Sequence, residues 1–370
     1  MLHGKTMDVR LRKNFDWPLL MVTFVTAVFG LVTLYSATHD RSPIFLHLQI
    51  FWLIVGIFLL VVSTMVDPQR IAKFAGHIYI AILVALVVVV IVGHTSHGAQ
   101  RWISLGPLRF QPSEFAKLAI ILTLAAFFTK KHEKIREFST LFLSLCYAGL
   151  PIALILKQPD LATAVVTIII WYGMAFMAGA RGRHLLFIFL ASIAIFALMW
   201  HVGLVKNYQK QRLLAFINPN LDPQESGYHI IQSRIAIGSG EVTGQGFLKG
   251  TQVQGHFIPE EHTDFIFTVV AEEEGFVGAI GLIALYAILL WRSFLILAGT
   301  EDLLGRLLAS GIITMLAVHI VINIGMTLGI MPVAGVPLPL FSYGGSNLIV
   351  TLISIGLLLG IAKRRHRLVF

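Results

Sequence analysis

Asp264 is the residue around which chemistry can be organised. It stands in the run Ile258-Pro259-Glu260-Glu261-His262-Thr263-Asp264-Phe265-Ile266-Phe267, where a long polar loop turns into an apolar helix. A carboxylate at such a border keeps access to water while facing an interior in which charges interact strongly. A base acting on a membrane-borne substrate would have to be there. The same position also suits a helix-start aspartate with no chemistry. Thr263 reads as the N-cap and Asp264 as the first helical residue, where the positive helix end favours the ionised carboxylate. Glu272, Glu273 and Glu274 follow. At about 100° per residue they cannot share one face with Asp264. At least one of them then needs a cationic partner or a proton.

Cationic groups that could hold an anion lie in the run Gly98-Ala99-Gln100-Arg101-Trp102 and on through Arg109-Phe110-Gln111-Pro112-Ser113-Glu114-Phe115-Ala116-Lys117. A helix opens at Pro112 or Ser113, with Ser113 suited to the N-cap. Glu114 and Lys117 are three apart and share a helix face. Inside a span such a pair is either a structural ion pair or the lining of a wet substrate path. Lys117 would meet a phosphate as a point charge, whereas Arg101 or Arg109 would clamp one in two-pronged fashion. Asp160, in Lys157-Gln158-Pro159-Asp160-Leu161, fits a helix cap or a role beside substrate.

The elements that must position these residues are membrane helices. Of 370 residues, 56% are hydrophobic and only 13% are charged, and the mean hydropathy is +0.82. The fold class is therefore all-α integral membrane protein. Continuous apolar runs, not alternating ones, occur near 18–38, 46–66, 74–93, 114–128, 138–156, 160–179, 184–203, 265–290, 307–330 and 345–362. We expect about ten transmembrane helices, with 1–370 forming a single polytopic domain. The run 264–297 is too long for one untilted crossing and should begin above the bilayer. Lys5, Arg10, Arg12 and Lys13 precede the first span. Lys130, Lys131, Lys134 and Arg136 follow the fourth, Arg181 and Arg183 the sixth, and Lys363, Arg364, Arg365 and Arg367 close the chain. That is the positive-inside pattern, with both termini cytoplasmic. It accounts for the net charge of +9 without nucleic-acid binding. A large extracytoplasmic loop, 204–263, then lies between spans seven and eight. The first apolar run is too long for a signal-peptide core and reads as an uncleaved helix.

Within that loop, Asn218-Pro219-Asn220-Leu221-Asp222-Pro223 reads as turns and 227–238 as an interfacial amphipathic helix. The glycine-rich stretch 238–255 reads as a flexible loop, too irregular for a phosphate cradle. From Asn323 to Ser346 the chain is apolar but broken by Pro332, Pro337 and Pro339. Such a segment is a buried re-entrant stretch, tolerated only when packed in protein or lining a cavity. The single Cys146 reads as a buried small hydrophobe. Zinc-type ligand spacing, P-loop and Rossmann glycine patterns are absent from the sequence, and no internal repeat favours a secondary transporter.

The run Gly329-Ile330-Met331-Pro332-Val333-Ala334-Gly335-Val336-Pro337-Leu338-Pro339-Leu340-Phe341-Ser342-Tyr343-Gly344-Gly345-Ser346 resembles the signature of the SEDS family (shape, elongation, division and sporulation). So do Gln111-Pro112-Ser113-Glu114 with Lys117, Gln158-Pro159-Asp160-Leu161, Gly227-Tyr228-His229 and His262-Thr263-Asp264-Phe265. The resemblance covers essentially the whole chain. Tyr208-Gln209-Lys210-Gln211-Arg212 and Gly250-Thr251-Gln252 make it look like the elongation members. Ala162, where a glycine is usual, and Asn347, where a small residue is common, depart from the pattern as local packing changes.

The resemblance implies a peptidoglycan glycosyltransferase of the bacterial cytoplasmic (inner) membrane, polymerising lipid II during cell elongation. Asp264 would be its general base and the anomeric centre would invert. Arg101, Arg109, Lys117 and Arg212 would bind the departing diphosphate, supported by Glu114, Asp160, Gln111 and Ser113. A divalent cation, Mg2+ or Mn2+, is an optional helper with no ligands assigned. The implied partners are a class B penicillin-binding protein and the rod-shape morphogenetic proteins. A lipid II flippase or a non-enzymatic membrane scaffold would use much of the same surface without needing a base.

Overall fold

The computed structural model describes residues 15–364 except 93, 97–98, 106–107, 204, 206 and 219–225. The N-terminal basic cluster, the turn over 219–223, Gly98, Gly106, Pro107, Arg365 and Arg367 lie outside those residues. The helices are α1 Trp17–Thr38, α2 Ile44–Met65, α3 Pro68–Val92, α4 Pro112–Lys130, α5 Phe138–Lys157, α6 Leu161–Met177, α7 Gly182–His201, α8 Asn207–Ile217, α9 Ser226–Ser239, α10 Thr251–Gln254, α11 Ile266–Glu273, α12 Gly275–Ala298, α13 Leu303–Thr327 and α14 Gly345–Arg364. Among the described residues nine helices are long and apolar enough to cross a membrane, and the 17-residue α6 is a tenth apolar helix just short of that length. The chain is a multi-pass membrane protein. Each expected apolar run has a helix, but the run 265–290 is split in two.

The bundle centres on α4, α13 and α14, whose side chains are mostly buried. Neighbouring helices turn apolar faces outward: in α7 only Ile188 is buried. Cys146 is exposed on such a face, not buried as expected. The reason is environmental, since an outward apolar position of a membrane helix meets lipid and suits a small hydrophobe equally well. Between α3 and α4 the chain forms three short antiparallel strands, β1 His94–Ser96, β2 Ala99–Leu105 and β3 Leu108–Phe110. Ile103 pairs with Phe110 and Ser104 with Arg109. This small sheet carries Arg101 and Arg109.

The loops 39–43, 93–111, 158–160, 202–265 and 328–344 contact one another at one end of the bundle. Arg41 meets Glu261, Arg101 meets Asp160, and Tyr343 N donates to the His262 carbonyl. At the other end Arg292 pairs with Asp16 at 2.8 Å and Arg364 donates to the Met65 carbonyl at 2.8 Å. Odd-numbered connections thus gather at one end, as an antiparallel bundle requires.

The break between α11 and α12 is the feature that shapes that end. Gly275 has φ +68, which ends one helix and starts the next in a new direction. A break leaves carbonyls and N–H groups without helical partners, and these must be satisfied inside an apolar structure. The glycine-rich loop does this. Gln245 N and Gly246 N donate to the Glu272 and Glu273 carbonyls, while Phe276 N and Val277 N donate to those of Glu241 and Val242. So close a backbone approach leaves no room for side chains: a Cβ on Gly240 would lie 1.9 Å from the Ala271 oxygen. The expected flexible loop is instead a packed splice.

Glu272 and Glu273 are met by neutral donors. Glu272 accepts the Gln252 and Val253 N–H groups at 2.7 and 3.1 Å, and Glu273 accepts the Ser36 hydroxyl at 2.6 Å. Neutral donors at the start of α10 and on α1 therefore do the work assigned to a cation. The helix 227–238 exists as α9, but it is packed inward, with Ser233 bonded to Thr268 and to the Thr327 carbonyl at 2.8 Å each.

Candidate active site

Asp264 does not sit in a helix. The first residue of α11 is Ile266 and its N-cap position is Phe265, so Thr263 is not the cap and Asp264 precedes the helix. The reason lies in Glu260, which adopts φ +55 and whose carbonyl receives the N–H groups of Thr263, Asp264 and Phe265 at 3.1, 3.1 and 3.3 Å. The result is a tight turn that holds Asp264 partly buried.

A strap formed by residues 329–344 braces this turn from beneath. Asn323 Nδ2 donates to the Asp264 carbonyl at 2.9 Å and to the Val336 carbonyl at 2.8 Å. The Ser342 hydroxyl donates to the Thr263 carbonyl, and Tyr343 N to the His262 carbonyl at 2.9 Å. Tyr286 and Gln49 fix the strap in turn, through the Pro339 and Ser342 carbonyls at 2.7 and 3.0 Å. Gly335, at φ +68, lies directly under the carboxylate: a Cβ there would be 3.2 Å from Asp264 Oδ2. The proline-broken segment is non-helical and packed in protein, against the loop that presents Asp264 and against side chains of α2 and α12.

Burial pushes the Asp264 carboxyl up to about 6, and Glu260 adds to the rise; Arg212 and Arg101 oppose it and Asp160 reinforces it. That differs from the sequence expectation of a carboxylate favoured by a helix end. The fields of Arg212, Arg101 and Asp160 reach Asp264, so four of the expected site residues share one neighbourhood. Arg101 Nε donates to the Gln158 carbonyl at 3.3 Å, its Nη2 donates to the Pro159 carbonyl, and Nη1 lies 3.8 Å from Asp160 Oδ1. Asp160 also caps α6, accepting Thr163 N at 3.1 Å and the Thr163 hydroxyl at 2.9 Å. The cap and the arginine anchor are thus one residue. Arg109 is exposed on β3 and its charge acts on Tyr343 in the strap.

Lys117 is placed elsewhere. Its ammonium lies 2.8 Å from Glu114 Oε1 and 2.7 Å from His319 Nε2, with all three side chains buried. His319 Nδ1 is 2.7 Å from the Met315 carbonyl, which it can approach so closely only as a donor. Its Nε2 therefore accepts from Lys117. Asn347 Nδ2 completes the group on Glu114 Oε2 at 2.9 Å. Asn347 is thus a polar member of the interior, more than a packing change. Gln111, not Ser113, occupies the N-cap position of α4; its N–H donates to the Ser346 hydroxyl and its side chain to Ser113, at 3.0 and 3.1 Å. This second cluster ties α4, α13 and α14 together behind the sheet. His319 was not foreseeable as a partner, its only signal being a lone imidazole inside an apolar span.

Among the described residues no group of three or more His, Cys, Asp or Glu side chains is placed to hold a metal ion. The cationic groups that act on Asp264 are the guanidiniums of Arg212 and Arg101, suited to an anion with oxygens on more than one side.

The fold and this site together define a polytopic membrane protein with a buffered carboxylate among arginines at one end of its bundle. The chain belongs to the FtsW, RodA and SpoVE family of cell cycle proteins, whose sequence model it matches over residues 16–367. It is 38% identical to the peptidoglycan glycosyltransferase MrdB of Escherichia coli K12 over 355 residues, which is 96% of this chain and 95% of that one. It is 33% identical to the peptidoglycan glycosyltransferase RodA of Treponema pallidum, covering 97% of this chain and 100% of that one. Among solved structures it resembles a chain from a peptidoglycan synthase complex with a TM-score of 0.82 at 35% identity, over 95% of this chain and 99% of that one. The rod shape determining protein RodA of Thermus thermophilus matches at 0.71 and 34%, over 95% and 98%.

Proposed function

We propose that this chain, a peptidoglycan glycosyltransferase by its family, polymerises lipid II with Asp264 as general base. Asp264 takes the proton from the 4-hydroxyl of an acceptor sugar as that oxygen bonds to the anomeric carbon of a donor. The bond from that carbon to the lipid-linked diphosphate breaks in the same displacement, which inverts the anomeric centre. Diphosphate is a good leaving group, so the step needs charge stabilisation more than a strong acid. Arg101 and Arg212 lie in the field of Asp264 and are the groups to receive it, with Arg109 at the rim. Glu114 and Lys117 serve this reading as a buried ion pair that joins α4 to α13 and α14. A divalent cation, if bound with the diphosphate, would supply further neutralisation of its charge beside Arg101 and Arg212.

The observation that carries the proposal is the carboxyl near 6 in a turn braced by the strap and flanked by two arginines. A general base works best when its pKa lies near the operating pH. On this reading the site end faces outward across the bacterial inner membrane and both termini are cytoplasmic. A class B penicillin-binding protein then crosslinks the product, with rod-shape morphogenetic proteins organising the pair during elongation. The test is incubation of the purified protein and that partner with labelled lipid II. β-Linked glycan cleaved by muramidase supports the proposal. Absence of glycan under every ionic condition overturns it.

A further inference from the structure

The turn that carries Asp264 is also tied sideways, to the loop between α1 and α2, by side chains the proposed mechanism does not use. Arg41 Nη2 lies 2.9 Å from Glu261 Oε1, and Arg41 Nε donates to His256 Nδ1 at 3.1 Å. His256 Nε2 lies 3.0 Å from Asp40 Oδ2, and its Nδ1 lies 3.4 Å from Glu261 Oε1. Because Nδ1 accepts from Arg41, the imidazole carries its proton on Nε2 and donates it to Asp40. Arg41 thus joins Glu261 and His256, and His256 reaches on to Asp40, so the two loops, far apart in sequence, are tied together.

Glu261 is the unusual member. It is fully buried, and its Oε2 has no hydrogen-bond partner. Burial pushes its carboxyl up to about 8, against the pull of Arg41, with Asp40 and Glu272 adding to the rise. A half-satisfied buried carboxylate is a poor stabilising device, because desolvation offsets much of the attraction. Its place in the chain gives it another use. Glu260, just before it, receives the N–H groups of Thr263, Asp264 and Phe265, and His262, just after it, receives Tyr343 N. Movement of Glu261 therefore moves the whole turn.

We propose that Arg41 is a positioning residue for Asp264, acting through Glu261 to fix the turn 260–264 sideways while the strap fixes it from beneath. This rests on Asp264 being the base. A displacement of about 1 Å at a reacting group can cost ~100-fold in rate, so a loosened turn lowers turnover without removing any group that touches substrate.

The test uses the full-length protein with its penicillin-binding partner and labelled lipid II. Arg41→Ala and Glu261→Ala should each lower kcat about 10- to 100-fold, with KM for lipid II nearly unchanged. The double variant should be no worse than either single, because both remove one interaction. Arg41→Lys, which keeps the charge, should recover part of the loss. Unchanged kcat in Arg41→Ala overturns the proposal, as do losses that multiply in the double variant or that only track a fall in folded protein. Asp264→Asn run alongside separates the two readings: if it stays active the base assignment fails, whatever Arg41 does.

Discussion

One side-chain nitrogen, Nδ2 of Asn323, bonds both the carbonyl of Asp264 at 2.9 Å and that of Val336 at 2.8 Å. The proposed base and the strap beneath it are thus joined through α13. Asn323→Leu leaves two buried carbonyls without a donor, at about 1–3 kcal/mol each. The expected outcome is a lower thermal midpoint in detergent together with a fall in kcat, read by unfolding and polymerisation assays on the same preparation. An unchanged midpoint would show that the strap is held by other means.

Gly335 offers a gentler perturbation. Alanine there must adopt φ +68, at a cost of roughly 1–2 kcal/mol, and places a methyl 3.2 Å from Asp264 Oδ2. Gly335→Ala should therefore displace the carboxylate and reduce kcat by more than its stability loss explains. Comparison of turnover per folded molecule with wild type checks this.

The pH dependence follows from burial. A pKa raised to about 6 means the carboxyl keeps its proton to higher pH than an ordinary aspartate. Activity that needs the ionised form should fall about tenfold per unit as pH drops below that value. Glu260→Gln removes a neighbouring negative charge and should move this acid limb to lower pH. Arg101→Gln removes a positive one and should move it to higher pH. Steady-state rates across pH 4.5 to 8, roughly the span bracketing the base, give both signs.

In the interior cluster, Lys117→Met leaves Glu114 buried with Asn347 as its remaining partner in the group. Breaking such a pair from one side costs about 3–5 kcal/mol. Glu114→Gln combined with Lys117→Met should be less destabilising than Lys117→Met alone. Thermal midpoints of the single and double variants decide the matter.

Sequence disclosed the helices well because hydrocarbon imposes long apolar runs, and it placed Arg101 and Asp160 in connecting segments, but it put Asp264 inside a helix that starts only at Ile266. It failed where neutral backbone groups did the work. The three glutamates looked as if at least one needed a cation or a proton, whereas Glu272 takes the Gln252 and Val253 N–H groups, donors that carry no side-chain signature. Gly240 and Gly244 read as looseness, yet they are small because the broken helix passes against them. The Glu114–Lys117 pair was legible from its spacing as one of two readings, but the partner His319 lies 202 positions away and no local spacing announces it.

The most direct test of the account is Asp264→Asn, which keeps the size of the side chain and removes its ability to take a proton. Purified with its partner and given labelled lipid II, this variant should fold like wild type, still bind lipid II, and lose about 100- to 10,000-fold in glycan synthesis. Glycan made at the wild-type rate by the asparagine variant would contradict the assignment of Asp264 as the base.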